Sequence, residues 1–200
     1  MKFRYDENPN TLEFWDDVYA NRKVERKNAW LFPEVMKLLS KYPQLSTALE
    51  IGCGGGRTTI ELWKLKKSIL WTGTDFSNTG IARANKKYHQ ARWACVDICA
   101  AAIPELTTYD FILCSETLEH LTKPMVACEH MWKMLRTAGT ILITVPLAGT
   151  KLDNNSKNYH HVTFQPDDFG TMFPNELANV TTYQIDKHHL GAVIRKELKV

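Results

Sequence analysis

Apolar residues recur at helical spacing over the first forty positions and then gather into short runs. The segment from Thr11 to Arg22 carries Leu12, Phe14, Trp15, Val18 and Tyr19 at such spacing, and Asn28 to Tyr42 does the same with Trp30, Leu31, Val35, Leu38 and Leu39. Two amphipathic helices are therefore predicted ahead of the first strand. From Ser46 onward, strand-length apolar runs alternate with helical patterns. Strands are predicted at Thr47 to Cys53, Ile69 to Phe76, Arg92 to Ile98, Tyr109 to Ser115 and Thr140 to Pro146. Helices are predicted at Gly56 to Lys66, Thr79 to Tyr88 and Pro124 to Leu135. Such alternation marks an α/β parallel sheet with helices on both faces. After a short helix at Asp167 to Phe173, the strand-like stretches Val180 to Ile185 and Ala192 to Leu198 flank the turn-like Asp186 to Gly191, which predicts an antiparallel hairpin at one sheet edge. No repeat or linker interrupts the chain, so one domain is expected over residues 1–200, with a helical cap at 1–45 and the α/β core at 46–200.

Composition narrows the class further. The chain is 44% hydrophobic and 24% charged, with ten Gly and eight Pro among 200 residues, which excludes disordered, collagen-like and small disulfide-scaffold classes. A net charge of +3, from 25 basic and 22 acidic side chains, is too small for a phosphate-seeking field, and nucleic acid is left without support as a partner. Cys53, Cys95, Cys99, Cys114 and Cys128 form no CxxC pair and lie mostly in apolar runs, as reduced core thiols do. The first ten residues carry Lys2, Arg4, Asp6 and Glu7, and nowhere do 18 apolar residues run uninterrupted. Neither a leader nor a membrane span is expected, and a cytoplasmic location is.

The segment Leu49-Glu50-Ile51-Gly52-Cys53-Gly54-Gly55-Gly56 falls where a strand ends and a helix begins. Glycines there let the backbone turn sharply and let a ligand approach the main chain. The spacing is E-x-G-x-G-x-G. A dinucleotide fingerprint needs a third glycine where this chain has Arg57 or Thr59, which disfavours a nicotinamide dehydrogenase. Glu50 beside the loop repels a phosphate and suits a ligand with an ammonium or sulfonium charge.

This loop resembles motif I of the class I S-adenosylmethionine-dependent methyltransferases, and the likeness continues to Pro146. The resemblance implies a Rossmann-like, doubly wound, mostly parallel sheet of seven strands in the order 3-2-1-4-5-7-6, with S-adenosyl-L-methionine as cofactor. Trp71 to Ser77 resembles the second motif, which implies that Asp75, with Phe76 beside it, holds the ribose hydroxyls; a carboxylate accepts two hydrogen bonds at once. Cys95-Val96-Asp97-Ile98 resembles the third, which implies that Asp97 accepts from the adenine amino group and Ile98 addresses the ring. Tyr109 to Leu121 is similar to the fourth motif in its E-x-x-E-H-L form, seen in small-molecule and quinone O-methyltransferases, and puts Ser115 and Glu116 beside the reacting methyl. Leu135 to Pro146 resembles the turn and strand that follow, with Thr137-Ala138-Gly139 in place of Pro-Gly-Gly. Phe14 to Tyr19 looks like the helix that lies over the cofactor. The implied cofactor-binding set is Glu50, Gly52, Cys53, Gly54, Gly56, Asp75, Phe76, Asp97, Ile98, Ser115 and Glu116.

The activity so implied is methyl transfer to an oxygen or nitrogen of a small-molecule acceptor. His120 is the first candidate base and His161 the second, because imidazole titrates near neutral pH. If their segment is helical, Glu116, Glu119 and His120 share one face. With His160 and His161 from the loop Asn158 to Phe164, they form a mixed set suited to a divalent ion, as in the small-RNA 2′-O-methyltransferases that the resemblance also reaches. No metal is expected; the alternative set is Glu116, Glu119, His120 and His161. The alternative functions are a metal-dependent RNA 2′-O-methyltransferase and a non-catalytic nucleotide-binding module of the same fold. The acceptor pocket is expected from the N-terminal helices and residues 147–173, where Lys151, Asn154, Asn155, Lys157, Tyr159 and His160 give a polar rim. His188 and His189 are expected in an exposed turn, and Trp30, Trp63, Trp93 and Trp132 at core positions.

Overall fold

The computed structural model describes residues 1–4, 9–21, 28–101, 107–151, 153, 159–174 and 176–197. Its elements are β1 (Lys2–Phe3), α1 (Leu12–Asn21), α2 (Leu31–Lys41), β2 (Thr47–Ile51), α3 (Arg57–Leu65), β3 (Leu70–Asp75), α4 (Asn78–Lys87), β4 (Arg92–Cys95) and β5 (Tyr109–Ser115). They continue with α5 (Pro124–Met134), β6 (Leu135–Pro146), β7 (Val162–Thr163), α6 (Asp168–Thr171), β8 (Ala178–Gln184) and β9 (His189–Lys196). A seven-stranded sheet runs β4-β3-β2-β5-β6-β9-β8. Its strands β2 to β6 pair in parallel, and β9 is antiparallel to both neighbours. Numbered within the sheet, this is the order 3-2-1-4-5-7-6 with a terminal hairpin. A separate ribbon pairs β1 with β7; two-residue strands leave no periodic signal in a sequence.

Both faces of the sheet are covered, so its strands read as continuous apolar runs. Along β5, Ile112 and Cys114 join the cluster of Ala127, Cys128, Met131 and Phe169 from α5 and α6, whereas Phe111 and Leu113 join Leu31, Val35, Leu39 and Leu62 from α2 and α3. The same period of two puts Leu49 and Ile51 of β2 in the first cluster and Ala48 in the second.

Several boundaries differ from the pattern. The strand predicted to Cys53 stops at Ile51, because Gly52 turns the chain with φ +72°. The strand predicted from Thr140 begins at Leu135: Ala138 takes φ +60° and a register shift in the pairing with β5 carries the ladder through the expected turn. The second helix starts at Leu31, after a turn closed by the Leu31 amide on the Asn28 carbonyl at 2.9 Å. The predicted ends at Arg22 and Leu198 lie outside the described residues. His189 is the buried first residue of β9, not part of an exposed turn. The four tryptophans expected in the core are half-buried, and of the cysteines Cys95 is exposed. No helix among the described residues is long and apolar enough to cross a membrane.

At the amino end of the sheet the Asp110 carboxylate ties β5 to the entry of β2. Its Oδ2 accepts from the amides of Ser46 and Thr47, each at 2.9 Å, and from their hydroxyls at 3.1 and 3.0 Å, while Oδ1 accepts from Arg136 at 3.0 Å. Burial pushes the pKa up, but the two amides and Arg136 outweigh it and bring the group down to about 2. The stabilisation is therefore full above the ordinary value of 3.8 and is lost as pH falls through about 2. Asp110→Ala is expected to cost about 2–4 kcal/mol at pH 7 in urea unfolding. The difference from the parent protein should vanish in acid below the folded-state value.

Candidate active site

Parallel register brings the carboxyl ends of four strands level: Ile51 pairs with Thr74 and Cys114, and Asp75 with Cys95. The residues that follow converge on one edge, where open α/β sheets bind ligands. A cleft there is lined by Gly52, Asp75, Phe76, Asp97, Ile98, Glu116, Thr117 and His120, with Trp15 and Tyr19 of α1 completing its wall. It encloses about 790 Å³ counting its open mouth.

The loop after β2 is shaped by its glycines. Gly52 and Gly54 take φ of +72° and +51°. A Cβ at Gly52 would lie 2.2 Å from Thr117 Oγ1, and one at Gly54 would lie 2.5 Å from the Tyr19 hydroxyl, so a larger residue fits neither the backbone nor the space. Asp75, at the end of β3, fixes the loop from below. Its Oδ2 accepts from the Gly54 amide at 2.8 Å and its Oδ1 from the Ser77 amide at 2.9 Å. Burial raises the Asp75 pKa against the pull of these two amides. The Ser77 hydroxyl caps α4 by accepting from the Gly80 amide at 3.0 Å and donates to Asp16 of α1, which also accepts from the Thr79 amide at 3.1 Å. Asp97 is exposed at the cleft and accepts from the Cys99 amide at 2.8 Å.

Glu50, Cys53, Gly54, Gly56 and Ser115 do not line the cleft. Alternation along β2 puts Glu50 on the face of Ala48, beneath α3, where the Thr59 hydroxyl donates to it. Burial raises its pKa to about 7; the Thr59 hydrogen bond opposes this and the nearby Asp75 adds to it. Ser115 likewise turns into the sheet's face and meets the Thr144 hydroxyl at 2.8 Å. Cys53 and Gly54 border a second depression with Arg57, Arg83 and Lys86. Gly56 is the N-cap of α3 and abuts the Trp93 ring.

Glu116, Glu119 and His120 do not share a helical face, because Glu116 takes φ +51° and only one 3₁₀ turn, Leu118–His120, follows. Glu119 and His120 meet His160 instead, with one ligand-type atom of each within 4.8 Å of the others. His120 Nε2 stands 3.7 Å from Glu119 Oε1, its Nδ1 lies 3.2 Å from the Tyr159 carbonyl, and its ring meets Trp15 edge-on at 5.4 Å. Neither Glu116 nor His161 belongs to this group. The His161 amide donates to the Glu119 carbonyl at 2.8 Å, and its ring packs on Phe3 at 5.2 Å, where burial lowers its pKa. Of the expected polar rim, Tyr159 packs on Phe14 and His160 is buried; Asn154, Asn155 and Lys157 lie outside the described residues.

The sequence pattern missed Thr117 and His189. The His189 ring stacks on Trp30 at 3.8 Å and 18°, with Nδ1 2.8 Å from Asp186 Oδ1 and Nε2 3.8 Å from Glu116 Oε2. The local signal was Asp186, whose carboxylate accepts from the His188 and His189 amides at 2.8 and 2.9 Å, which is ordinary turn chemistry for Asp.

Fold and cleft define a class I methyltransferase architecture, and comparison with known proteins agrees. Residues 49–143 match the family model described as a methyltransferase domain. The chain is 31% identical over 146 residues to a malonyl-[acyl-carrier protein] O-methyltransferase of Anoxybacillus flavithermus, covering 72% of this chain and 51% of that protein. It is 31% identical over 107 residues to the mitochondrial ubiquinone biosynthesis O-methyltransferase of Saccharomyces cerevisiae, covering 52% of this chain and 34% of that one. The chain thus spans about half the length of the first relative and a third of the second. Its fold matches N-methyltransferase NodS from Bradyrhizobium japonicum, solved with S-adenosyl-L-homocysteine, at a TM-score of 0.69 and 24% identity over 94% of this chain and 98% of that one. The matched region, residues 49–143, is a methyltransferase domain, and the relatives and the fold support the class I S-adenosylmethionine-dependent kind.

The Glu50 carboxyl yields a pH prediction. With a folded value of about 7 against an ordinary 4.5, the folded chain holds an extra proton between those pH values, so this group's contribution falls as pH rises through that window. Glu50→Gln keeps an acceptor for Thr59 and is expected to flatten the decline, read as thermal midpoints at pH 5 and pH 8.

Proposed function

We propose that the chain is an enzyme that transfers a methyl group from S-adenosyl-L-methionine to an oxygen or nitrogen of a small-molecule acceptor, with residues 1–200 acting as one methyltransferase domain. The observation that carries this reading is the charge of the cleft. Asp75, Asp97 and Glu116 line it, and no Lys or Arg does among the described residues. A diphosphate would face three carboxylates and no Lys or Arg among the described lining residues, whereas a sulfonium nucleoside brings complementary charge and hydroxyl and amino donors. This supports Asp75 as partner of the ribose hydroxyls, Asp97 as partner of the adenine amino group, and Phe76 and Ile98 as walls for the ring.

The cofactor, when bound, supplies an activated methyl on positive sulfur. The chain's own contribution is alignment, holding the acceptor in line at near-contact distance. The relatives named above are O- and N-methyltransferases, which supports either atom as the one methylated. His120 borders the cleft, which supports it as the group that takes the acceptor's proton; we assign His161, packed on Phe3, to structure. The free thiols support a reducing compartment such as the cytoplasm. A second reading attaches to Glu119, His120 and His160, whose mixed oxygen and nitrogen donors suit a divalent ion.

Titration calorimetry with S-adenosylhomocysteine tests the first reading. Binding is expected, with Asp75→Ala weakening it about a hundredfold or more and the exposed Asp97→Ala about tenfold, as the loss of charge-assisted hydrogen bonds predicts. Binding of NAD with no response to S-adenosylhomocysteine would overturn it. For the second, equilibrium dialysis of EDTA-treated protein against Mn²⁺ should show one ion taken up per chain and lost in His160→Ala. No uptake removes the metal and leaves His120 as an imidazole base.

A further inference from the structure

Helix α5 carries a histidine at a buried position. Ala127, Met131 and Met134 of this helix join the apolar cluster on one face of the sheet, and His130 beside them is only 5% exposed. A buried imidazole must find partners for its polar atoms. Its Nδ1 lies 2.9 Å from the Ile98 carbonyl. A carbonyl only accepts, so Nδ1 carries a proton and donates it to this bond.

The Ile98 carbonyl and the Cys99 amide are the two ends of one peptide group. Such a group is planar and trans, so its C=O and N–H point in opposite directions and can only turn together. The carbonyl end accepts from His130, and the amide end donates to Asp97 Oδ1 at 2.8 Å. One rigid unit therefore connects a buried ring in α5 with a carboxylate at the cleft wall. A donor on the carbonyl also polarises the peptide and strengthens the bond its amide gives to Asp97. The loop has other holds: the Ala100 amide donates to the Asp97 carbonyl at 3.1 Å, and the Cys99 thiol donates to the Lys123 carbonyl, just ahead of α5, at 3.7 Å. Neither acts on the peptide between Ile98 and Cys99. Rotation of that peptide would release Asp97 Oδ1, and among the described residues His130 is the side chain that bonds its carbonyl.

We propose that His130 is the positioning residue that sets the purine preference of the cleft: by holding this peptide it fixes the Asp97 carboxylate so that a 6-amino purine is accepted and a 6-oxo purine is refused. With Oδ1 occupied, Oδ2 remains for the ligand. An amino group donates to it, whereas an oxo group sets a second acceptor against a carboxylate and leaves both unpaired. A carboxylate free to swing away from the oxo group would discriminate less. His130 touches neither ligand nor reacting atoms. The inference rests on the reading of this cleft as the nucleoside site of a methyltransferase and adds what fixes its choice of base.

Titration calorimetry of the full chain with S-adenosylhomocysteine and S-inosylhomocysteine tests it. The parent protein is expected to prefer the first about tenfold or more, as one charge-assisted hydrogen bond predicts. His130→Leu, close in volume, removes the donor and should bring the ratio to within about threefold, chiefly by weakening S-adenosylhomocysteine. His130→Asn, whose amide can donate to the same carbonyl, should restore the preference. Loss of packing alone would weaken both ligands alike and leave the ratio as it was. Nuclear magnetic resonance of the parent protein reads the same device without a substitution, and decides the matter if His130→Leu does not fold. A proton is expected on His130 Nδ1, and the Nδ1 and Cys99 amide signals should move together, further at saturation with S-adenosylhomocysteine than with S-inosylhomocysteine. An unchanged ratio in His130→Leu, an Nδ1 without a proton, or signals that do not respond would overturn the proposal. A parent protein that binds both ligands equally also overturns it and leaves the methyl-transfer reading standing; if neither ligand binds, that reading fails as well.

Discussion

The carboxylate of Asp75 joins the end of β3, the glycine loop after β2 and the start of α4 through two backbone amides. A carboxylate this deeply placed is costly unless its oxygens are occupied, and the parallel sheet supplies the donors because its strands end level with one another. Gly54 can offer its amide only because it has no side chain to strike Tyr19. Ser77 offers its amide to Asp75 and its hydroxyl to Asp16, so the same short turn also anchors α1 beside the loop. The ligand edge is therefore shaped before any ligand arrives, which lowers the cost of ordering it on binding.

Carboxylates recur as fasteners, and their pKa directions show which effect wins at each place. Burial raises all three of Asp110, Asp75 and Glu50, and they differ in the donors opposing it. Asp110 has two amides, two hydroxyls and Arg136 and ends at about 2. Asp75 has the Gly54 and Ser77 amides in a more enclosed position and ends above its ordinary value. Glu50 has the Thr59 hydroxyl and amide in the core beneath α3 and reaches about 7. Desolvation wins wherever the donors are fewer than the lone pairs removed from water. Negative charge is thus concentrated at the cleft edge and moderated beneath it, which is the arrangement a cationic ligand finds favourable.

Much of this was legible in the residue pattern because local periodicity and turn chemistry govern it. The strands, the terminal hairpin and the glycine turn follow from runs and spacings that tertiary contacts reinforce, while the strand order was implied by the family resemblance. Glu50 lies off the cleft wall, and the signal for that was present: it shares parity with Ala48, not with Leu49 and Ile51, and so sits under α3. Ser115 has the same parity as Phe111 and Leu113 and turns away from the cleft for the same reason. Other features were illegible because their causes are remote. The turn at Glu116 depends on Thr144, and the stacking of Trp30 on His189 joins positions far apart in the chain. Spacing within one segment carries no information about such partners, and the left-handed turn at Glu116 ahead of the 3₁₀ turn Leu118–His120 breaks the helical assumption on which their grouping rested.

The two ends of the cleft are built by different parts of the chain, and that separation has a physical consequence. The end expected to hold the nucleoside comes from β2, β3 and β4, whose register is fixed by continuous parallel ladders. The other end comes from the segment that follows β5, where Glu116, Thr117 and His120 form the wall. The two ends are coupled: Gly52 packs on Thr117, one residue beyond Glu116, so movement of the loop displaces the segment that carries Glu116. A bound nucleoside that orders the loop would thereby also order Glu116, and acceptor binding should be tighter once the cofactor pocket is filled.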